Sequence, residues 1–225
     1  MSAEPTPATD DALWEAYNTL LLSPDVDRVR KLLVRYELFK RSLDVPGDIV
    51  ECGVFKGAGL MYWAKLLAIH APGSLKRVVG FDVFDTFASS LTPFEKENAD
   101  AYLAEAGSDG LSRAAIEARV RAAGFERLVE TVAGDIQATS EAYVAANPGF
   151  RISLLHLDLD TYLGTKAALE RFYPLVSRGG VLVFDEYGCR NWGESDAVDE
   201  FFADKPVRVQ AVPLAAKPTA FVVKP

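Results

Sequence analysis

The sequence predicts one α/β domain on a mostly parallel, seven-stranded sheet with an antiparallel edge strand, preceded by helices. Three observations carry this. Short β-branched runs alternate with stretches of helical periodicity, the pattern of βαβ units. The last two strand-like runs, 207–212 and 219–223, have only a Pro-containing loop between them, so one must run against its neighbour. The 225 residues show no internal repeat and no second core, which fits a single domain.

The elements follow in order. Residues 12–22 and 24–42 place apolar residues at i, i+3, i+4, the second run through Val26, Val29, Leu32, Leu33, Tyr36 and Phe39, and predict two N-terminal helices within 12–44. Pro46-Gly47 is a turn. A first strand, 48–54, then leads through Phe55-Lys56-Gly57-Ala58-Gly59 into a helix at 60–70. Strands are expected at 77–84, 128–133, 152–159 and 180–185, and helices at 98–107, 112–124, 141–146, 162–173 and 195–202. Residues 1–11 read as a disordered tail, and 12–225 as one catalytic domain. Residues 88–124 exceed an ordinary crossover and are a candidate lid insertion.

Composition narrows the function. With 49% apolar and 25% charged residues the chain has an ordinary globular balance. Its net charge of −8 argues against nucleic acid, whose phosphates call for clustered Lys and Arg. The basic group Arg28, Arg30, Lys31 and Arg35 sits at helical spacing and reads as a solvated helix face. No apolar run approaches the ~20 residues of a membrane span. The opening residues have neither a basic flank nor an apolar core, so no secretory leader is expected there. Two cysteines, Cys52 in a strand and Cys189, fit a reducing compartment, and the cytoplasm is the expected location.

In open sheets of this kind, ligands sit beyond the carboxyl ends of the strands. The first strand ends in Glu51-Cys52-Gly53-Val54-Phe55-Lys56-Gly57, where glycines permit a sharp turn and the next helix offers its positive N-terminus. The second ends at Asp82, placed to accept hydrogen bonds from a ribose diol. The third is followed by Gly134-Asp135-Ile136, suited to an adenine edge. Each acid alone could equally be a helix N-cap or an exposed loop charge. Three successive strand ends so equipped favour a purine nucleoside.

The fourth strand ends His156-Leu157-Asp158-Leu159-Asp160 and the fifth ends Phe184-Asp185-Glu186-Tyr187. Period-2 alternation places Asp158 and Asp160 on one face, and adjacent strands would bring four carboxylates together. Such crowding is costly without a cation, and hard oxygen donors select Mg²⁺, Mn²⁺ or Ca²⁺ over zinc. The plain alternative has Asp160 capping the next helix while Asp185 and Glu186 face solvent. His156 reads as a buried core histidine or, less readily, a substrate contact, and Tyr187 as a second candidate contact.

The segments 45–57 (VPGDIVECGVFKG), 80–82 (GFD), 156–169 (HLDLDTYLGTKAAL), 173–188 (YPLVSRGGVLVFDEYG) and 197–201 (AVDEF) resemble, in order, the macrocin-type O-methyltransferases of sugar hydroxyls. That resemblance implies a Rossmann-like class I methyltransferase fold, with S-adenosylmethionine and Mg²⁺ (or Mn²⁺) as cofactors. It implies a metal held by Asp158, Asp185 and Glu186, and Asp160 as general base beside Asp158. It places Glu51, Gly53, Phe55 and Gly57 in the cofactor loop, Asp82 on the ribose, and Asp135 and Ile136 near adenine. The implied acceptor is a sugar, nucleotide-linked or on a natural product, and the N-terminal helices could join two chains or more. Three other readings stay open, the third a non-catalytic Rossmann-like protein that keeps the fold and has lost turnover, against which the retention of all four acids argues. A catechol-type O-methyltransferase would carry a lysine where Thr161 stands, and a glycosyltransferase would use Asp158-Leu159-Asp160 as its metal motif but needs an Arg/Lys clamp for a diphosphate, and no basic groups are expected near that rim.

Overall fold

A computed structural model describes residues 10–84, 91–107, 112–213 and 217–225. Its elements are α1 (Asp10–Leu22), α2 (Asp27–Ser42), β1 (Asp48–Cys52), α3 (Ala58–His70), β2 (Val78–Asp82), α4 (Pro93–Ala106), α5 (Arg113–Ala122), β3 (Val129–Ala133), α6 (Ile136–Ala146), β4 (Ile152–Leu157), α7 (Tyr162–Phe172), β5 (Val176–Phe184), α8 (Glu194–Phe202), β6 (Gln210–Ala211) and β7 (Ala220–Val223). A 3₁₀ turn, Tyr173–Leu175, joins α7 to β5.

The strands form one seven-stranded sheet in the order β3-β2-β1-β4-β5-β7-β6. β1 to β5 pair in parallel, and β7 runs antiparallel to both β5 and β6. The reversal therefore sits at β7, and the two-residue β6 is the outermost strand. β6, at Gln210–Ala211, is shorter than the expected 207–212.

Both faces of the sheet are covered, which is why its central strands read as continuous apolar runs. Alternate residues feed two cores. Ile49, Leu154, Val181 and Val183 pack with Phe39 of α2 and Leu60, Trp63 and Leu67 of α3. Val50, Leu155, Leu182 and Phe184 pack with Leu169 and Phe172 of α7 and Val198 and Phe202 of α8. Cys52, expected in the core, is fully buried there. This parity decides where the polar residues at the strand ends point.

Several boundaries move for local reasons. Asp10 and Asp11, placed in the tail, belong to the first turn of α1, where acids suit the helix dipole; residues 1–9 lie outside the described residues. α4 starts five residues before the expected position 98, because Thr92 and Glu95 form a capping box with Pro93 in the first turn. α6 starts at Ile136, capped by Asp135. β5 starts at Val176, since Val176 pairs with Ile152 and the register shift on β4 absorbs the irregularity between them. Of the candidate lid, 88–90 and 108–111 lie outside the described residues, and α4 and α5 make up most of the rest.

Candidate active site

Gly53 (φ +91°) and Gly57 (φ +85°) both need the left-handed backbone that glycine adopts freely. A Cβ on Gly53 would lie 1.8 Å from the Asp158 carbonyl oxygen, so the turn after β1 is pressed against the end of β4. Phe55 also has positive φ (51°), and its ring stands 5.6 Å from that of Tyr102 on α4.

Asp82 secures this turn. Its Oδ2 accepts hydrogen bonds from the backbone N–H groups of Val54 (2.6 Å) and Phe55 (2.9 Å), and its Oδ1 from Phe84 (2.7 Å). Burial raises its pKa, against the opposing pull of these three donors. A carboxylate offers about four acceptor positions, so three are committed to the loop and one is left open. Asp135 is the N-cap of α6, accepting from Gln137 N at 2.9 Å, as the plain reading of that acid allowed. Ile136 is buried in the α7/α8-side core.

At the other half of the rim, strand parity and register assemble a buried polar chain. Glu51 lies directly across from His156, and both point to the α2/α3 face with Asp185. His156 Nδ1 is 3.1 Å from Glu51 Oε1, and Nε2 is 3.3 Å from Asp185 Oδ1. Trp63 Nε1 also donates to Glu51 Oε1 (3.1 Å). Burial and Arg35 push the pKa of His156 down, but its two carboxylate partners outweigh them and the net shift is upward. His156 has no exposed surface, so it touches no acceptor directly. Its place is behind Asp185.

Asp158 and Asp160 converge, though not by strand alternation. β4 ends at Leu157, and Asp160 (φ 64°) sits in a tight turn closed by Thr161 N to Leu159 O at 2.7 Å. Non-glycine residues in that region carry strain, which concentrates at functional sites. Burial, then the charge of Asp158, pushes Asp160 up to about 7. Asp158 is itself raised, by desolvation and then by Asp185. Burial opposes ionisation of Asp185, yet the hydrogen bond and charge of His156, with Lys31 and Arg35, hold it well below the usual carboxylate range.

Donor oxygens or nitrogens of Asp158, Asp160 and Glu186 lie within 4.8 Å of one another, and so do those of His156, Asp158 and Asp185. Asp158 belongs to both groups. The expected ligand set Asp158, Asp185 and Glu186 is thus divided between two faces, because Asp185 and Glu186, as neighbours in sequence, point opposite ways. Glu186 meets Lys217 and packs against α8, and Tyr187, the other candidate contact, ties its hydroxyl to Asp199 at 2.8 Å.

The largest correction concerns the basic residues of α2. Arg28 and Arg30 are solvent-exposed, as expected. Lys31 and Arg35 are not part of a solvated face. Lys31 Nζ donates to Asp185 Oδ2 at 3.0 Å, and Arg35, buried over the Trp63 ring, lies 3.4 Å from Asp158 Oδ2 and 3.7 Å from Asp185 Oδ1. With Lys217 they neutralise the acids, the task assigned from sequence to a metal alone. The expected lack of basic groups at this rim is therefore overturned as well.

Two buried acids escaped sequence reading. Glu194 Oε1 accepts from Glu186 N (2.8 Å), and burial, then Asp160, Asp158 and Asp185, raises its pKa well above the usual range. Glu95 completes its capping box and also accepts from Tyr162 N (2.6 Å), fixing α4 to the start of α7. The Thr92-Pro93-Phe94-Glu95 pattern was the available signal for Glu95; nothing local marks Glu194. Among the described residues, the buried side-chain atoms without a hydrogen-bond partner include Glu51 Oε2, Arg35 Nε and Glu194 Oε2, all around this cluster.

The sheet order, the glycine turn after β1 and the acids at the ends of β2, β4 and β5 define a Rossmann-like class I methyltransferase fold. The chain belongs to the macrocin-O-methyltransferase family, whose model matches residues 27–214. It is 28% identical over 169 residues to the 8-demethyl-8-(2,3-dimethoxy-alpha-L-rhamnosyl)-tetracenomycin-C 4'-O-methyltransferase of Streptomyces olivaceus, a match spanning 69% of this chain and 63% of that enzyme. The match thus takes in less than two thirds of the relative's length. A crystal structure of CalS11, a calicheamicin methyltransferase, superposes with a TM-score of 0.73 at 29% identity, covering 97% of this chain and 86% of that one. The O-methyltransferase NovP shares the fold, with a TM-score of 0.73 at 21% identity over 87% of this chain and 80% of its own.

Proposed function

We propose that this chain transfers a methyl group from S-adenosylmethionine to a sugar hydroxyl, with Asp160 as general base and a hard divalent cation in the acid cluster. The observation that carries the reading is the clustering of Asp158, Asp160 and Glu186 beside the glycine turn that Asp82 secures. The names of the relatives support the acceptor class: one methylates a rhamnosyl-tetracenomycin, and CalS11 is also described as a TDP-rhamnose 3'-O-methyltransferase.

Methyl transfer from a sulfonium is an in-line displacement, so the donor and the acceptor oxygen must be held in line and the hydroxyl proton removed. The turn at Gly53–Gly57 lets backbone approach the donor, Asp82 keeps an acceptor position for its ribose, and the Asp135–Ile136 segment borders its base. Asp160 takes the hydroxyl proton. A pKa near neutrality suits that role, because the base is then ionised at working pH yet basic enough to accept.

The residues fit Mg²⁺ or Mn²⁺: the Asp158, Asp160 and Glu186 group is all oxygen, and Glu194, which holds Glu186 N, has its Oε2 buried without a hydrogen-bond partner. Asp158 and Glu186 would hold the ion beside Asp160, and when bound it would act as a Lewis acid toward the hydroxyl. Lys217 would then give up part of its hold on Glu186. α4 reaches the rim through Tyr102 and is fixed by Glu95 to Tyr162 and by Asn98 to Asn191, which supports its role as a cover over the acceptor.

Thr161 is the buried N-cap of α7, accepting from Gly164 N, so the position where a catechol-type enzyme carries lysine is structural here. For the glycosyltransferase reading, the cations at the rim are committed to carboxylates rather than open to a diphosphate. The test is methyl transfer from labelled S-adenosylmethionine to a nucleotide-linked deoxysugar, a glycosylated natural product and catechol, each with chelator and with Mg²⁺. Transfer to a sugar, lost in chelator and restored by Mg²⁺, is expected. Transfer to catechol alone, or full activity in chelator, would defeat the acceptor or the metal assignment respectively.

A further inference from the structure

α4 lies across the rim where the site opens. Its start is fixed at the end of β4, where Glu95 accepts from Tyr162 N at 2.6 Å, and beside the loop after β5, where a Cβ on Gly193 would lie 2.6 Å from Glu95 Oε1. One turn on, Asn98 Nδ2 donates to Asn191 O of that same loop at 2.8 Å. The last residue, Ala106, accepts from Lys56 Nζ in the turn after β1 at 2.7 Å. The helix, about 21 Å long, therefore runs from the acid cluster to the glycine turn.

Tyr102 sits between these ties. It follows Asn98 by four residues and so lies on the same side of α4. Its ring stands 5.6 Å from that of Phe55 at an interplanar angle of 53°, and the residue stays 42% exposed. Phe55 is itself anchored, because its backbone N–H donates to Asp82. Burial, then the charges of Asp160 and Asp158, raises the pKa of the Tyr102 hydroxyl, with Arg28 opposing and Asp185 adding to them. The phenol is thus neutral and stands near the carboxylates, while the ring adjoins the turn. Fastening α4 does not call for an aromatic here, since Glu95, Asn98 and Lys56 already hold the helix.

We propose that Tyr102 binds the acceptor: its ring, beside that of Phe55, lies against the C–H face of the sugar, and its hydroxyl hydrogen-bonds the hydroxyl next to the one being methylated. This assignment rests on the sugar acceptor proposed for the site. A pyranose has a face of C–H groups and an edge of hydroxyls, and tyrosine matches both with an apolar body and a polar tip. Asp160 takes the proton of the reacting hydroxyl, while Tyr102 fixes its neighbour and so keeps the reacting oxygen in line with the methyl group. The two parts of the side chain then do different work. The ring holds the sugar equally before and during transfer, which sets KM, and the hydroxyl aims it, which sets kcat.

Tyr102→Leu and Tyr102→Phe separate ring from hydroxyl. Because the side chain is half-exposed, both variants should keep the wild-type Tm and affinity for S-adenosylhomocysteine. With the sugar acceptor that the wild type methylates, Tyr102→Leu should raise KM at least about tenfold. Tyr102→Phe should keep KM and lower kcat about fivefold. Saturation-transfer NMR with methyl α-rhamnoside, on protein loaded with S-adenosylhomocysteine and Mg²⁺, reads binding without turnover. The C–H protons of the sugar should receive saturation from the wild type and from Tyr102→Phe, and not from Tyr102→Leu. Wild-type kinetics in both variants, or saturation persisting in Tyr102→Leu, would overturn the role of Tyr102 and leave the sugar methyltransferase reading intact. A lowered Tm in Tyr102→Leu with KM unchanged would reduce the residue to a tie between α4 and Phe55, and so overturn it too. No methyl transfer to any sugar, with no saturation from the wild type, would overturn the acceptor reading itself and this assignment with it.

Discussion

At the ends of β2 and β3, each acid is held by backbone a short distance away. Asp135 takes the N–H two residues on, and Asp82 takes Phe84, likewise two residues on, and the neighbouring turn at Val54 and Phe55. At the ends of β4 and β5, the acids face one another and are held by long side chains from elsewhere. Lys31 and Arg35 come from a helix that precedes the sheet, and Lys217 from the approach to β7. The first arrangement is rigid because backbone donors cannot leave without undoing a loop. The second is a balance of charge, which a divalent cation can enter by displacing side chains. That contrast fits the proposed division of labour: a preformed nucleoside cleft on one side, and a site that exchanges ligands and protons on the other.

The sharpest way to break this contrast is Asp160→Asn. Loss of the base should lower turnover by about 10²- to 10⁴-fold. Affinity for S-adenosylhomocysteine, measured by titration calorimetry, should stay unchanged because the proposed cleft lies on the other half of the rim. In the wild-type enzyme Asp160 is protonated, and so unable to accept a proton, below its pKa of about 7. The rate should therefore rise with pH through that value and level off above it, and a flat profile from pH 5 to 9 would remove Asp160 from the role.

The next effect is on stability. Arg35→Met leaves Asp185 and Asp158 with less positive charge in a desolvated setting, and removing one partner of a buried pair costs about 3 kcal/mol. Urea unfolding in chelator should show that loss, and Mg²⁺ should recover part of it. A loss below about 1 kcal/mol, the range of an exposed ion pair, would mean that α2 merely rests on the rim.

The smallest effect belongs to the backbone-held half. Asp135→Ala removes the N-cap of α6 and should cost about 1 kcal/mol, read from the same unfolding curves. A catalytic loss much larger than that stability loss would give Asp135 a direct part in the nucleoside cleft.

Much of the molecule is legible in the order of its residues. The parallel sheet, the reversed strand near its end, the glycine turn and the positions of Asp82, Asp158, Asp160, Asp185 and Glu186 all follow from short-range pattern. Strand alternation, helical periodicity and turn chemistry act over a few residues, so sequence displays them directly. Where prediction slipped along the chain, as at the starts of α4 and α6, a capping residue was read too late.

Folding settled what these residues meet. Period 2 at β5 sends Asp185 to one face and Glu186 to the other, so a pair adjacent in sequence serves two different groupings. His156 became a buried brace between Glu51 and Asp185, since strand register set it opposite Glu51. Lys31 and Arg35 look like surface residues from their own helix, yet they reach carboxylates 154 and 123 residues away. Coulombic attraction depends on distance through space and on local desolvation, and neither quantity is encoded in the spacing of residues along a chain.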